Sequence, residues 1–146
     1  TLIVMPSKYN KVHETTNLNA IKAKLHNQAY INLSKKVELP EFMIIDQFAP
    51  EPLYYRYLKD DKQVVRHMHF ETKAEDKYIS VAISSMIARN AFLNALDKMN
   101  EAYGMTFQKG GGKQADECAK EFIEKYSFDR LHEVAKMHFK NTERLY

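Results

Sequence analysis

An α/β fold is predicted by two observations. Apolar runs of strand length recur along the chain, at Leu2–Met5, Phe42–Ile45 and Val64–Phe70. Stretches with helical spacing separate and follow them, and this alternation builds a sheet covered by helices.

The elements follow in chain order. Leu2-Ile3-Val4-Met5 is a four-residue apolar run stopped by Pro6, which reads as a buried strand. A buried strand at the first residue suggests that something precedes it, so the chain is read as a fragment. Thr15-Thr16-Asn17 offers cap chemistry, and Leu18, Ile21, Leu25 and Ala29 form a helical stripe behind it. Leu39-Pro40 breaks the chain. Phe42-Met43-Ile44-Ile45 is the second strand, continuous as in sheets buried on both faces, and it ends in Asp46. Pro50 and Pro52 punctuate a loop, and Leu53 to Leu58 is read as a short helix. Val64 to Phe70 is the third strand, ending near Lys73-Ala74-Glu75. The longest helix runs from Ile79 to about Tyr103, rich in small residues and stopped by Gly104. Lys109-Gly110-Gly111-Gly112-Lys113 holds three of the four glycines. A helix with Ala115, Cys118, Ala119, Phe122 and Ile123 on one side comes next, and Leu131 to Leu145 is read as a final helix.

Composition bounds the function. The chain has 146 residues, 45% hydrophobic and 12% aromatic, enough for one globular unit over residues 1–146 and too apolar for global disorder. No apolar run approaches the roughly 18 to 20 residues of a membrane span, so no membrane is expected. Cys118 stands alone, which excludes an internal disulfide and points to a reducing, cytoplasmic setting. The net charge of +3 conceals a split. Residues 1–36 hold six lysines against one glutamate, and residues 37–62 hold six acids against three bases. Two solvated faces would give such a split, as would a polyanion-binding segment beside a metal or acid site.

Four constellations could carry chemistry. Asp46 follows an apolar strand, and ligands of open α/β sheets sit at the carboxyl ends of strands. Alone it reads as an ordinary turn aspartate. Glu75 follows the third strand in the same way, and alone reads as a helix-start glutamate. If the two strands are neighbours, both acids share one sheet edge and could bind Mg²⁺ or Mn²⁺ through oxygen. Four carboxylates would be typical for two-metal phosphodiester hydrolysis, so two are too few. The Lys109–Lys113 loop could bring glycine backbone to a phosphate, but it lacks Walker spacing and also reads as a flexible turn. Ser84, Ser85 and Arg89 lie on the small-residue helix, where close packing is the competing explanation. His67 and His69 alternate on a strand but have no third zinc ligand, and Cys118 reads as core.

Together these residues resemble the C-terminal part of the catalytic domain of a ribonuclease HIII, of the type 2 ribonuclease H group. The resemblance covers nearly the whole chain. It is carried by Pro6-Ser7-Lys8-Tyr9-Asn10, by residues 17–27 with their paired asparagines and His26-Asn27 end, and by Asp46-Gln47-Phe48. Lys73-Ala74-Glu75 with residues 81–89, Lys109-Gly110-Gly111-Gly112, and His138-Phe139-Lys140-Asn141-Thr142 complete it. Each motif is modest, and their order and spacing are specific.

The resemblance implies a ribonuclease H-like fold, a central mixed sheet flanked by helices, lacking its first strands here. It implies a hydrolase, an endonuclease that cuts the RNA strand of RNA/DNA hybrids with a Mg²⁺- or Mn²⁺-activated water in the cytoplasm. Asp46 and Glu75 would be catalytic metal ligands. Asn17, Asn19, Lys22, His26, Lys73, Ser85, Arg89, Lys109 and Lys113 would face nucleic acid. The complete enzyme is expected to be a monomer. The family's adjacent Asp-Glu on the first strand has no counterpart here, nor has its N-terminal substrate-binding domain. Gln108 also stands where the family usually has proline. The chain is therefore expected to be inactive alone and to need the N-terminal remainder of the same protein as partner. The competing reading is a non-catalytic nucleic-acid-binding module of the same fold, which would use the lysines of residues 8–36.

Overall fold

A computed structural model describes residues 1–145. In order, α1 is Pro6–His13, α2 Leu18–Ser34, β1 Met43–Asp46, α3 Glu51–Tyr57, β2 Met68–Glu71, α4 Ala74–Lys77, α5 Ile79–Tyr103 and α6 Lys113–Tyr126. Two 3₁₀ turns, Phe128–Glu133 and Thr142–Leu145, follow. The chain divides into two compact units. The first holds Thr1–Leu2 and Thr16–Asn90, the second Ile3–Thr15 and the chain from Ala91 onward.

The first unit is built on β1 and β2, which pair in parallel with Met43 opposite Met68 and Asp46 opposite Glu71. Alternation sends Met43, Ile45, Met68 and Phe70 to one face, where they meet Ala23 of α2 and Tyr54 and Leu58 beside α3. The other face carries Ile44, Asp46, His69 and Glu71. The third strand is shorter than expected because His67 takes a left-handed φ of 62°, so the extended path starts at Met68. His67 and His69 therefore do not share a strand face.

Asn17 caps α2, its side chain accepting from Ala20 N at 2.9 Å. The buried stripe of α2 is Ala20, Ala23, Asn27 and Ile31, with Ile21 beside it, while Leu18 and Ala29 are exposed. The expected spacing recurs two residues along, with Ala23 in the core cluster of Ile45 and Met68, and Ile21 of the expected stripe is buried as well. Asn27 is 2% exposed and bonded at both ends of its amide. Its Nδ2 donates to Gln63 O at 2.8 Å and its Oδ1 accepts from Val65 N at 2.9 Å. It ties α2 to the segment entering β2.

The second unit packs Met105, Phe107, Phe122 and Leu131 against an aromatic wall of Tyr103 and Tyr126. Ala115, Cys118, Ala119, Phe122 and Ile123 line the inner side of α6 as expected. Gly104 ends α5 with φ 56°. Asn10 of α1 donates to His132 O and Ala135 O and accepts from Met137 N. Those carbonyls would otherwise receive helical amides, so the single helix expected over Leu131–Leu145 is replaced by two 3₁₀ turns.

One further expectation is corrected. Leu2–Met5 forms no strand among the described residues, and Leu2, Ile3 and Met5 are exposed. An extended segment becomes a strand only with a partner ladder, and the described sheet is the β1–β2 pair alone. Among the described residues α5 is long and apolar enough to cross a membrane by length and composition. No contiguous run announced it, because Ser, Asn and Arg interrupt its apolar residues. Ile79, Ile83, Met86 and Ile87 of α5 are all exposed.

Two predictions follow from this packing. Asn27→Ala strands one donor and one acceptor and is expected to cost about 2 to 3 kcal/mol in urea unfolding. The second concerns Glu133, which accepts from Tyr103 Oη at 2.6 Å and from Arg130 Nη2 and Nε at 2.8 and 3.0 Å. The Arg130 guanidinium, then the Tyr103 hydroxyl, hold its carboxyl down at about 2. Its folded value lies below its unfolded one, so its contribution is present above about 4.5 and is lost as pH falls toward 2. Unfolding midpoints of Glu133→Gln should fall less steeply than those of the parent across that window.

Candidate metal and nucleic-acid site

The site is built where two parallel strands end together. Asp46 closes β1, and its Oδ1 accepts from Ala74 N at 3.0 Å. Lys73 supplies the geometry for that bond. It sits in the left-handed region at φ 51°, a conformation that costs an ordinary residue roughly 1 kcal/mol, and turns the chain from β2 into α4. Ala74 is fully buried at this turn, so its methyl leaves no room for a larger side chain. Glu75, the next residue, is exposed. The two sequence-predicted carboxylates are thus brought onto one sheet edge.

Asp46 and Glu75 are hard oxygen donors of the kind Mg²⁺ and Mn²⁺ take. One Asp46 oxygen is held by Ala74, which leaves the other for a cation. The set fits in kind and falls short in number. No group of three or more His, Cys, Asp or Glu among the described residues could hold a metal.

On α2, Lys22 lies over the Phe48 ring at 5.5 Å, and His26 meets the same ring at 5.4 Å. Burial lowers the His26 pKa, Lys22 lowers it further, and Asp46 opposes both. His26 therefore lies within the electrostatic reach of the strand-end acid. Asn17 spends its side-chain oxygen on the helix cap, and Asn19 is half-buried. Ser85 and Arg89 lie on exposed positions of α5 within the first unit.

Lys109 and Lys113 belong to the second unit. There Asn141 Nδ2 donates to Gly111 O at 2.8 Å, pinning the glycine loop. Lys113 starts α6 and lies 3.8 Å from Glu117. Sequence reasoning missed Glu71 and Lys77. Glu71 ends β2 directly opposite Asp46, and Lys77 Nζ donates to its Oε1 at 2.6 Å. The logic applied to Asp46, a carboxylate closing an apolar strand, would have found Glu71 as well.

A model of the ribonuclease HII family matches residues 1–142. The ribonuclease HIII of a Bacillus cereus strain is 39% identical over 150 aligned residues, covering 100% of this chain and 48% of the relative. That of a Streptococcus thermophilus strain is also 39% identical, over 99% of this chain and 50% of the relative. Crystal structures of Bst-RNase HIII, one of them in complex with Mn²⁺, share 33% identity and superpose with a TM-score of 0.95 over 99% of this chain. They too are covered to 48%, so the chain spans about half the length of the relatives it matches. The fold is thereby the ribonuclease H-like α/β fold, of whose sheet this chain supplies two parallel strands. The matched motifs, the sheet-edge acids and this likeness lead to one assignment: the chain belongs to the ribonuclease HII family and within it is similar to the ribonucleases HIII.

Proposed function

We propose that this chain is the C-terminal part of an endonuclease that hydrolyses the RNA strand of RNA/DNA hybrids with Mg²⁺ or Mn²⁺. The observation that carries the reading is the junction of Asp46 with Lys73-Ala74-Glu75 at the ends of two neighbouring parallel strands. The relative crystallised with Mn²⁺ supports the choice of metal. When bound, the metal supplies an activated water and neutralises charge at the scissile phosphate. Asp46 and Glu75 hold it there. Asp46 is kept in place by Ala74 N, so it meets a cation without having to be ordered first.

Lys22 and His26 face the same edge from α2 and serve to dock nucleic acid. Asn17, Asn19, Lys73, Ser85 and Arg89 contribute from the same unit. Lys109 and Lys113, on the glycine loop of the second unit, are docking residues of that unit by themselves. The hybrid's RNA strand is distinguished through its hydroxyls and phosphates.

Two carboxylates leave the metals short of ligands and charge, so the chain alone is inactive and its partner is the N-terminal remainder of the same protein. The exposed α5 residues Ile79, Ile83, Met86 and Ile87 offer that remainder an apolar face. The lone cysteine suits a cytoplasmic setting.

Calorimetric titration with Mn²⁺ tests the metal reading. Binding should be weak in the chain and lost in Asp46→Asn/Glu75→Gln. Hybrid binding indifferent to metal and to that double variant would instead mark a non-catalytic module. Mixing the chain with its N-terminal portion should restore Mn²⁺-dependent cleavage. Strong cleavage by the 146 residues alone would overturn the claim of inactivity. Hybrid affinity should also fall steeply with salt, as expected for lysine and arginine contacts to phosphate.

A further inference from the structure

The turn that carries Glu75 cannot hold itself. α4 is four residues long, and one helical turn is unfavourable without outside support. Asp76 N donates to Lys73 O at 3.1 Å and Tyr78 N to Ala74 O at 2.8 Å. At its start it is fastened twice, by the Ala74 N bond to Asp46 and by the buried Ala74 methyl. At its far end Lys77 reaches back to Glu71 at 2.6 Å. Glu71 in turn is fixed by the strand, because it stands in register with Asp46.

His69, two residues earlier on the same face, places Nε2 3.5 Å from the other Glu71 oxygen. Its ring lies 5.2 Å from Phe42 and 6.2 Å from Tyr78, the residue that follows α4. Glu75 therefore sits between one fastening on β1 and another on β2.

We propose that the Glu71–Lys77 ion pair is a latch that positions the Glu75-bearing turn over the strand ends, making Glu71 and Lys77 positioning residues for the metal site. Neither residue is a ligand in this scheme. The latch sets where the Glu75 carboxylate stands relative to Asp46 before a cation arrives. The metal half of the inference rests on the reading of Asp46 and Glu75 given above.

A second explanation has to be separated from the first. Glu71 lies across from Asp46, so its charge alone would attract a cation and Lys77 would repel one. A latch and a bare field differ in sign at Lys77. Under the latch, Glu71→Gln and Lys77→Met both weaken Mn²⁺ binding. Under the field alone, Lys77→Met strengthens it.

The experiment uses the full chain and three variants: Glu71→Gln, Lys77→Met, and the exchanged pair Glu71→Lys/Lys77→Glu. Amide hydrogen exchange at Asp76 and Tyr78 reads the latch without metal. We expect both amides to exchange about fivefold faster in each single variant, as suits a partly exposed ion pair, and to recover in the exchanged pair. Calorimetry should show Mn²⁺ binding weakened about fivefold in each single variant. Unchanged exchange in both single variants, or tighter Mn²⁺ binding in Lys77→Met, overturns the latch. If Asp46→Asn and Glu75→Gln leave Mn²⁺ binding unaltered, the metal reading fails, and the exchange data still decide the latch.

Discussion

The hydrogen bond from Ala74 N to Asp46 Oδ1 joins the ends of the two strands on which the first unit is built. Its acceptor is also a proposed metal ligand, so one side chain serves structure and chemistry together. Several features exist to permit it. β1 and β2 must be parallel neighbours, so that both chains leave the sheet at the same edge. Lys73 must accept a left-handed backbone, and Ala74 must be small enough to bury at the turn.

The support beneath that edge is almost entirely apolar and aromatic. Tyr54 and Leu58 close the inner face of the sheet, and Tyr30 Oη donates to Ile44 O at 2.8 Å. Burial raises the pKa of both Tyr30 and Tyr54. The opposite face carries Asp46, His69 and Glu71, where charge is tolerated because the side chains reach solvent or a counter-charge. A two-stranded sheet with one dry face and one charged face is a poor fold by itself but a good bracket for a cation site.

Helices α2, α5 and α6 and strand β1 were legible because period and punctuation both spoke for them, whereas α1 was not read from the sequence. Ile79 and Gly104 bound α5 as read, and Asp46 closes β1 as read. What failed were segments whose partner decides their structure. Leu2–Met5 has strand composition but no described ladder to join, and the carbonyls of residues 132 and 135 go to Asn10 across a long sequence separation. The displaced stripe on α2 has the same origin. Asn27 looks solvent-facing in a hydropathy pattern and is buried because Gln63 and Val65 satisfy it. In the site, Asp46 and Glu75 were singled out by place and by resemblance; the same rule of place points to Glu71, whereas the pairing of Lys77 with it required the structure.

The number of carboxylates gives the division of labour. A divalent cation needs ligands and compensating charge, and two acids cannot supply both to a pair of metals. The described residues offer no third donor close enough to make up the set. Asp46 is held by the hydrogen bond from Ala74 N, and the turn after β2 carries the buried Ala74 methyl and the Glu71–Lys77 ion pair. Ordering is costly and is best done before a ligand binds. The same logic accounts for the exposed side of α5, where Ile79, Ile83, Met86 and Ile87 recur at helical spacing. An apolar stripe of that kind is useful only when covered. The relatives that share this fold are about twice as long as the chain.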